Sequence, residues 1–386
     1  MSAGQFAVTR YYFTLFWVMA AANTYLPIWL ENRGMSDAQI GVLNAVPMAT
    51  VLLLGVFVGR LADAARDWRQ AIVIGHFVAL FFTLWLGLAE GFVMLLLLLS
   101  LAVVPAGLVM PVSDGASIRF GQAQGFSFGP VRAWGTVGYT VMCVVTGYAV
   151  LWGGDGIFPL LLVGFAAARA LGAWRLPLLR SGTEAGLPRK GLAFSASLRA
   201  ALSPWVLLPI VAGALLQASH AVMNAFAARY FSDGGVDPGG IGLLIALGAG
   251  AEALVMFLFP RLQAWFSARM LILISAAAGL LRWGLLALAP DLAWFWPLQL
   301  MHGLTFSLSL LGAIYFIASR TPVEVTAEAQ SLFVVMQMAT SVLLVAGFGA
   351  LYGAVGAPAF WAVGAISVLA ALLILASFAL QRAESA

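Results

Sequence analysis

The sequence predicts an all-α membrane protein of about a dozen spanning helices, and three observations lead there. Of its 386 residues, 63% are hydrophobic and only 9% are charged, where a soluble domain carries roughly 25% charged residues. So few charges cannot cover a water-facing surface, which makes lipid the expected solvent. Apolar runs long enough to cross a bilayer, about 20 residues each, recur along the whole chain. The longest polar stretch, 179–202, leaves six such runs on either side. The expected organisation is a first six-helix bundle over 1–178, a cytoplasmic linker over 179–202 and a second six-helix bundle over 203–386.

Each run has its own signature. The first, 9–30, is too long for the apolar region of a signal peptide, and no small-residue cleavage site follows it. The second, 38–61, contains Pro47 and ends in the polar loop GRLADAARDWRQ, 59–70. The third, 70–89, holds His76, which has no nearby partner in sequence and is read as structural. The fourth, 92–118, carries Pro105, Pro111 and Asp114; the fifth, 127–151, carries Arg132; the sixth, 156–178, leads into the linker. The remaining runs are 203–231 with Pro209, then 239–263, 268–289, 292–319, 328–353 and 357–381. Small residues crowd GLLIALGAGAEAL (242–254) and LISAAAGLL (273–281), where they let helix backbones approach closely. Prolines inside spans kink a helix whose neighbours satisfy the freed carbonyl.

Charge placement sets orientation and excludes several functions. With a cytoplasmic N-terminus, Arg132 and Arg282 fall within spans, and only Arg33 and Arg229 of the other Lys and Arg residues lie on the far side. The far-side loops carry Glu31, Asp37, Glu90, Asp155, Asp233, Asp237 and Asp291. Both termini are therefore expected in the cytoplasm. The basic residues sit at span ends rather than in one patch, so no nucleic-acid partner is expected. One cysteine, Cys143, and three scattered histidines give no disulfide and no metal cluster, and no cofactor is expected. No nucleotide-binding loop is present, which excludes a primary pump within the chain. The isolated histidines lack the clustered nucleophile or base of a membrane acyltransferase or lipid transferase.

Ionisable groups deep in a bilayer are costly, at least about 2.5–3.5 kcal/mol each on insertion scales. Asp114, Arg132, Glu252 and Arg282 stand out, with His302 (LMHGLTF) as a fifth titratable group. Each half holds one acid and one arginine on sequential helices, and the second half adds the histidine. Buried ion pairs that only fix helix orientation are weak stabilisers and expensive to keep. A polar cavity at the interface of the halves is the reading preferred here, with arginines holding an anionic or hydroxylated substrate and an acid or His302 carrying a proton. His220, with Gln217 one turn earlier, is a further cavity candidate, and Trp134, Tyr139 and Trp283 are candidates for stacking on a substrate. In the 59–70 loop, Gly59 permits close packing, Asp63 can cap or pair, and Arg66 and Arg69 anchor the cytoplasmic side, together a gating element.

These segments resemble the major facilitator superfamily. GRLADAARDWRQ is similar to its G-x-x-x-D-R-x-G-R-R loop, with Ala64 and Ala65 after the aspartate and the glycine missing. SFGPVRAWGTVGY (127–139), with Asp114 eighteen residues before Arg132, resembles the sugar-binding acid and arginine of lactose-permease-type symporters. Glu252, Arg282 and His302 resemble that type's set for substrate binding and proton coupling. LPIWLENRGMSDAQIGVL (26–43), LLQASHAVMNAF (215–226), WFSARMLILISAAAGLLRWGL (265–285) and LQLMHGLTFSLSLLGAIYFIA (298–318) resemble the 3-phenylpropionate transporter branch. The resemblance implies the major facilitator fold, two six-helix bundles around a central cavity in the bacterial inner membrane, working as a monomer. It implies proton symport of a small molecule, an aromatic acid first and a galactoside next, with proton-driven drug or metabolite efflux as the alternative. Departures are specific: Thr305 stands where the permease type has a second acid, Gln299 where it has a lysine, and His220 and Met223 where it has paired acids. Met223 and Asn224 stand where the phenylpropionate branch often has tyrosines.

Overall fold

A computed structural model describes residues 1–64, 67–179, 198–199 and 202–385, with side chains at all of these except 56–64, 323, 384 and 385. Among the described residues all regular structure is helical, and twelve segments are long and apolar enough to cross a membrane. In chain order the helices are α1 (Ala3–Leu15), α2 (Trp17–Asn32), α3 (Asp37–Ala64), α4 (Trp68–Leu86), α5 (Gly91–Gln124), α6 (Phe128–Gly153) and α7 (Ile157–Trp174). After the linker come α8 (Pro204–Asp233), α9 (Pro238–Trp265), α10 (Ala268–Ala287), α11 (Leu292–Arg320), α12 (Val323–Val355) and, past a 3-10 turn at Ala357–Ala359, α13 (Phe360–Ser385). α1 and α2 together form the first span, Ala3–Asn32, broken at Phe16.

The ends follow ordinary capping chemistry. The hydroxyl of Ser2 accepts from Gln5 N at the start of α1, and Ser267 does the same for Met270 N at α10, each satisfying a first-turn amide. Gly125 closes α5 in the left-handed region at φ 74°, where a side chain would be strained. α5 and α12, at 34 and 33 residues, are about 50 Å long and overrun a hydrocarbon core of about 30 Å.

The chain forms two compact units, one of Met1–Arg189 with Val236–Ala246, the other of Lys190–Gly235 with Leu247–Ala386. In the first, α5 packs on α3 and α4, α4 on α7, and α1 and α2 on both α6 and α7. The opening turns of α9 belong here: bare Gly147 and Gly242 let α6 and α9 touch, since a Cβ at either would strike the carbonyl of Pro238 or of Cys143. In the second unit α8 is central, packed on α11, α12 and α13, with α10 between α11 and α13. Arg269 ties α10 to α13 through the Ser377 carbonyl and hydroxyl at 3.2 and 3.1 Å and through Gln381.

Candidate functional site

In the first unit the structure brings Asp114 and Arg132 together, with Arg132 Nε 3.9 Å from a carboxylate oxygen and both side chains about one-third exposed. The pair is built by three helices. Tyr12 on α1 donates its hydroxyl to Asp114 at 2.6 Å, and the Arg132 guanidinium lies 4.4 Å over the Phe16 ring. Gly135, one turn beyond Arg132, makes room for that ring, since a Cβ there would stand 2.8 Å from it. Tyr12 and Phe16, which hold this pair, are residues that the sequence pattern did not single out.

Tyr139 lies two turns along α6 from Arg132 and accepts a hydrogen bond from Asn23 Nδ2 at 2.9 Å. Trp134 follows Arg132 by two residues, so about 200° around the helix; it is 48% exposed and meets Phe13 edge-on at 6.2 Å. The structure does not bring it to the Asp114–Arg132 pair.

The second unit carries a denser cluster near the middle of its helices. Arg282 on α10 is fully buried, and its guanidinium is spent on the protein. Nε donates to Leu298 O at 2.9 Å, one terminal nitrogen to Gln299 Oε1 at 2.6 Å, and the other to Thr305 Oγ1 at 3.2 Å and to His302 Nδ1 at 3.4 Å. A guanidinium only donates, so Nδ1 of His302 must accept. His302 is then the neutral tautomer with its proton on Nε2, and Nε2 points at Glu252, 3.7 Å from a carboxylate oxygen. Glu252 therefore meets Arg282 through the imidazole, an arrangement the order of residues in the chain did not reveal.

Gln299 and Thr305 are the two positions where the sequence loses a lysine and an acid of the permease pattern. Both now serve as neutral acceptors for Arg282. The two losses cancel in charge, which leaves one acid and one arginine in the cluster.

His220 belongs to this second cluster. It is buried and meets His302, Phe306 and Trp283 edge-on at 4.9, 5.2 and 5.7 Å. Its Nδ1 is enclosed without a hydrogen-bond partner. The close seating of α11 on α9 is set by Gly303, where a Cβ would strike the Ala251 carbonyl.

Of the proposed gating residues, Gly59 and Asp63 fall on the last turns of α3, while Arg66 and the side chain of Asp63 lie outside what the structure describes. Arg69 donates to the Trp174 carbonyl at the end of α7. Its neighbour Asp67 caps α4 through Arg69 N at 2.8 Å and accepts from Leu179 N at 3.0 Å. This part of the loop is thus latched to the chain leaving α7. Arg33 and Arg229 are also engaged: Arg33 donates to Ala89 O and Gly87 O at 2.7 and 2.9 Å, and Arg229 pairs with Asp233.

One expectation needs correction. Arg132 and Arg282 are not alone among the arginines within spans: Arg169 lies inside α7 and is 7% exposed. The sequence signal was available in AAARALGAW, where the arginine stands five residues before the end of the helix. Counting it with the cytoplasmic loops concealed it. His76, read as structural, has a partner after all in Tyr11, at 2.8 Å.

A model of the MFS_1 like family matches residues 6–375 of the chain. In sequence the chain is 27% identical over 366 residues to a "Probable 3-phenylpropionic acid transporter" of Escherichia coli (strain K12), covering 94% of this chain and 95% of that one. It is 26% identical over 331 residues to a maltose permease of Geobacillus stearothermophilus, covering 84% and 81%. Its structure matches that of the nucleoside transporter NupG at a TM-score of 0.83 and 17% identity, over 98% and 99% of the two chains. A bacterial homologue of the human lysosomal transporter Spinster matches at a TM-score of 0.76 and 16% identity, over 97% and 96%. At such identities the structural likeness speaks for the fold. These relatives and neighbours are transporters, not enzymes.

Proposed function

The chain belongs to the MFS_1 like family of major facilitator transporters, and from that premise we propose that it moves a small organic solute together with a proton. An aromatic acid similar to 3-phenylpropionate is the favoured cargo and a sugar such as a galactoside the next. The setting is the bacterial inner membrane, with both termini in the cytoplasm and one chain sufficient for transport. The cargo follows the name of the Escherichia coli relative, aligned over nearly the full length of both chains, and the maltose permease keeps a sugar in view.

One observation carries the coupling: the Glu252–His302–Arg282 chain in the second unit. Four of the five N–H donors of Arg282 are committed to protein acceptors, so it acts as a positioning residue. It orients His302, and His302 presents an N–H to Glu252. Glu252 is the proton carrier. Its side chain keeps 25% of its surface exposed, so a proton can reach it. A proton on Glu252 cancels its charge and releases its hold on His302. The loaded and empty carriers then differ in the electrostatics of α9 and α11, which biases which side is open.

In the first unit Asp114 and Arg132 bind the polar end of the cargo. Tyr12 holds the acid in place, and Tyr139 lies further along the same face of α6. His220 contributes an unpartnered nitrogen in the second unit. Arg69 holds the loop before α4 against the end of α7 as part of the gate.

The test is purified protein in proteoliposomes, supplied with 3-phenylpropionate and then a galactoside, with and without an inward proton gradient. Uptake of one of them that rises with the gradient supports the proposal. Uptake indifferent to the gradient removes the coupling, and uptake of neither removes the cargo assignment.

A further inference from the structure

A second polar cluster in the first unit takes no part in the mechanism above. Two close helix approaches build it. At Gly75 an added Cβ would stand 2.7 Å from Val109 and 2.9 Å from the Pro105 carbonyl, so α4 lies tight on α5 and carries His76 inward. At Gly172 a Cβ would stand 2.7 Å from the Thr14 hydroxyl and 3.5 Å from Tyr11 Cα, so α7 lies tight on α1. Arg169 stands one turn before Gly172 on α7, the helix that packs on both α1, which carries Tyr11, and α4, which carries His76.

The hydrogen bonds here have only one consistent direction. The Ser113 hydroxyl donates to Val109 O at 2.9 Å, so at 2.8 Å it must accept from Tyr11. That commits the one Tyr11 proton. The Tyr11 oxygen, 2.8 Å from His76 Nε2, must then accept from an Nε2–H. Nδ1 of a neutral His76 is left as a bare lone pair, and it is enclosed without a partner. Arg169 Nε–H is likewise enclosed without a partner. Among the described residues no hydrogen bond or ion pair reaches that guanidinium, 7% exposed as it is. One buried acceptor and one buried cationic donor are thus both unsatisfied. Leaving such a group buried and unsatisfied is costly, and more so when it is charged.

We propose that Arg169, His76 and Tyr11 form a buried site in the first unit that takes a carboxyl group together with one proton. The carboxylate pairs with the Arg169 fork, whose planar donors match it. The proton comes from solvent and ends on His76 Nδ1, which turns the lone pair into a donor to the second carboxylate oxygen. Water bridges two such groups but leaves the guanidinium charge unpaired. The other titratable and charged groups on the helices packed round His76 are Arg10 and Tyr12 on α1, Arg69 in the first turn of α4, Asp114, next to Ser113 on α5, and Arg119, a turn and a half further on. The described side chains of α3 add only Asp37, at its opposite end. The site supplies a place where an acid and its proton meet that does not depend on Glu252 carrying the coupling proton.

The experiment uses the full chain in detergent at neutral pH, weakly buffered with a pH indicator, and adds benzoate, acetate or chloride at constant ionic strength. Benzoate or acetate is expected to draw about one proton per chain from solution and to raise the unfolding midpoint by several degrees, while chloride draws none. Arg169→Gln and His76→Gln are each expected to abolish both effects, and Glu252→Gln to keep them. Arg169→Gln is expected to melt no lower than the wild type without carboxylate, because it removes an unpaired buried charge. Proton uptake that chloride matches, that survives in Arg169→Gln, or that is lost in Glu252→Gln would overturn the proposal. So would an Arg169→Gln protein that is destabilised and indifferent to carboxylate.

Discussion

Arg132, Arg169 and Arg282 are held in three different ways, and each state sets what a substitution does. Arg282 is held by four protein acceptors. Arg282→Met strands the Gln299, Thr305 and His302 partners, and an expected loss of about 3–5 kcal/mol is to be read from the unfolding midpoint in detergent. Arg169, with no such acceptors, is expected to tolerate removal. Arg132 is half open and pairs loosely with Asp114. Tyr12→Phe removes the 2.6 Å bond to that acid, worth about 1.5–3 kcal/mol for a charged acceptor. Substrate affinity is expected to fall by roughly tenfold or more while the fold holds, checked by binding to purified protein. The five ionisable positions singled out from the sequence needed only the cost of charge in lipid to be visible. Tyr12 and Gln299 were not visible in that way, and Arg169 was overlooked. A tyrosine and a glutamine carry no charge to flag them, and an arginine near a span end reads as an anchor until its burial is known.

At the scale of helices, spacing is governed by glycine. Gly303 lets α11 rest on the Ala251 carbonyl of α9, beside Glu252. Gly303→Val is expected to push the two helices apart, lengthen the Glu252–His302 contact and cut gradient-driven uptake by more than tenfold at unchanged expression. Transport assays on the variant beside wild type check this. Existence and order of the spans were legible in the sequence because apolar length is a lipid requirement and needs no tertiary information. Two features escaped that reading. The break at Phe16 between α1 and α2 leaves the run of apolar residues unchanged, so hydropathy cannot see it. α5 runs on to Gln124 and α12 begins at Val323, because a helix continues past the hydrocarbon boundary until a glycine or a proline stops it. The packing of 236–246 with the first unit was equally hidden, since it rests on bare glycine surfaces rather than on a pattern along one helix.

At the scale of the molecule, the bias of Lys and Arg leads us to propose that both termini lie in the cytoplasm. Reporter fusions at residues 1 and 386 are expected to give cytoplasmic signal at both ends; opposite signals would break the twelve-span topology. The central claim, that Glu252 carries the proton that drives uptake, is tested most directly with Glu252→Gln in proteoliposomes. Two assays run side by side: accumulation driven by an inward proton gradient, and exchange of labelled for unlabelled substrate at equal pH. Gradient-driven accumulation is expected to vanish while exchange persists, because the cargo still binds and only the proton has lost its carrier. Accumulation at the wild-type level in the variant would contradict the claim and move the proton to another residue.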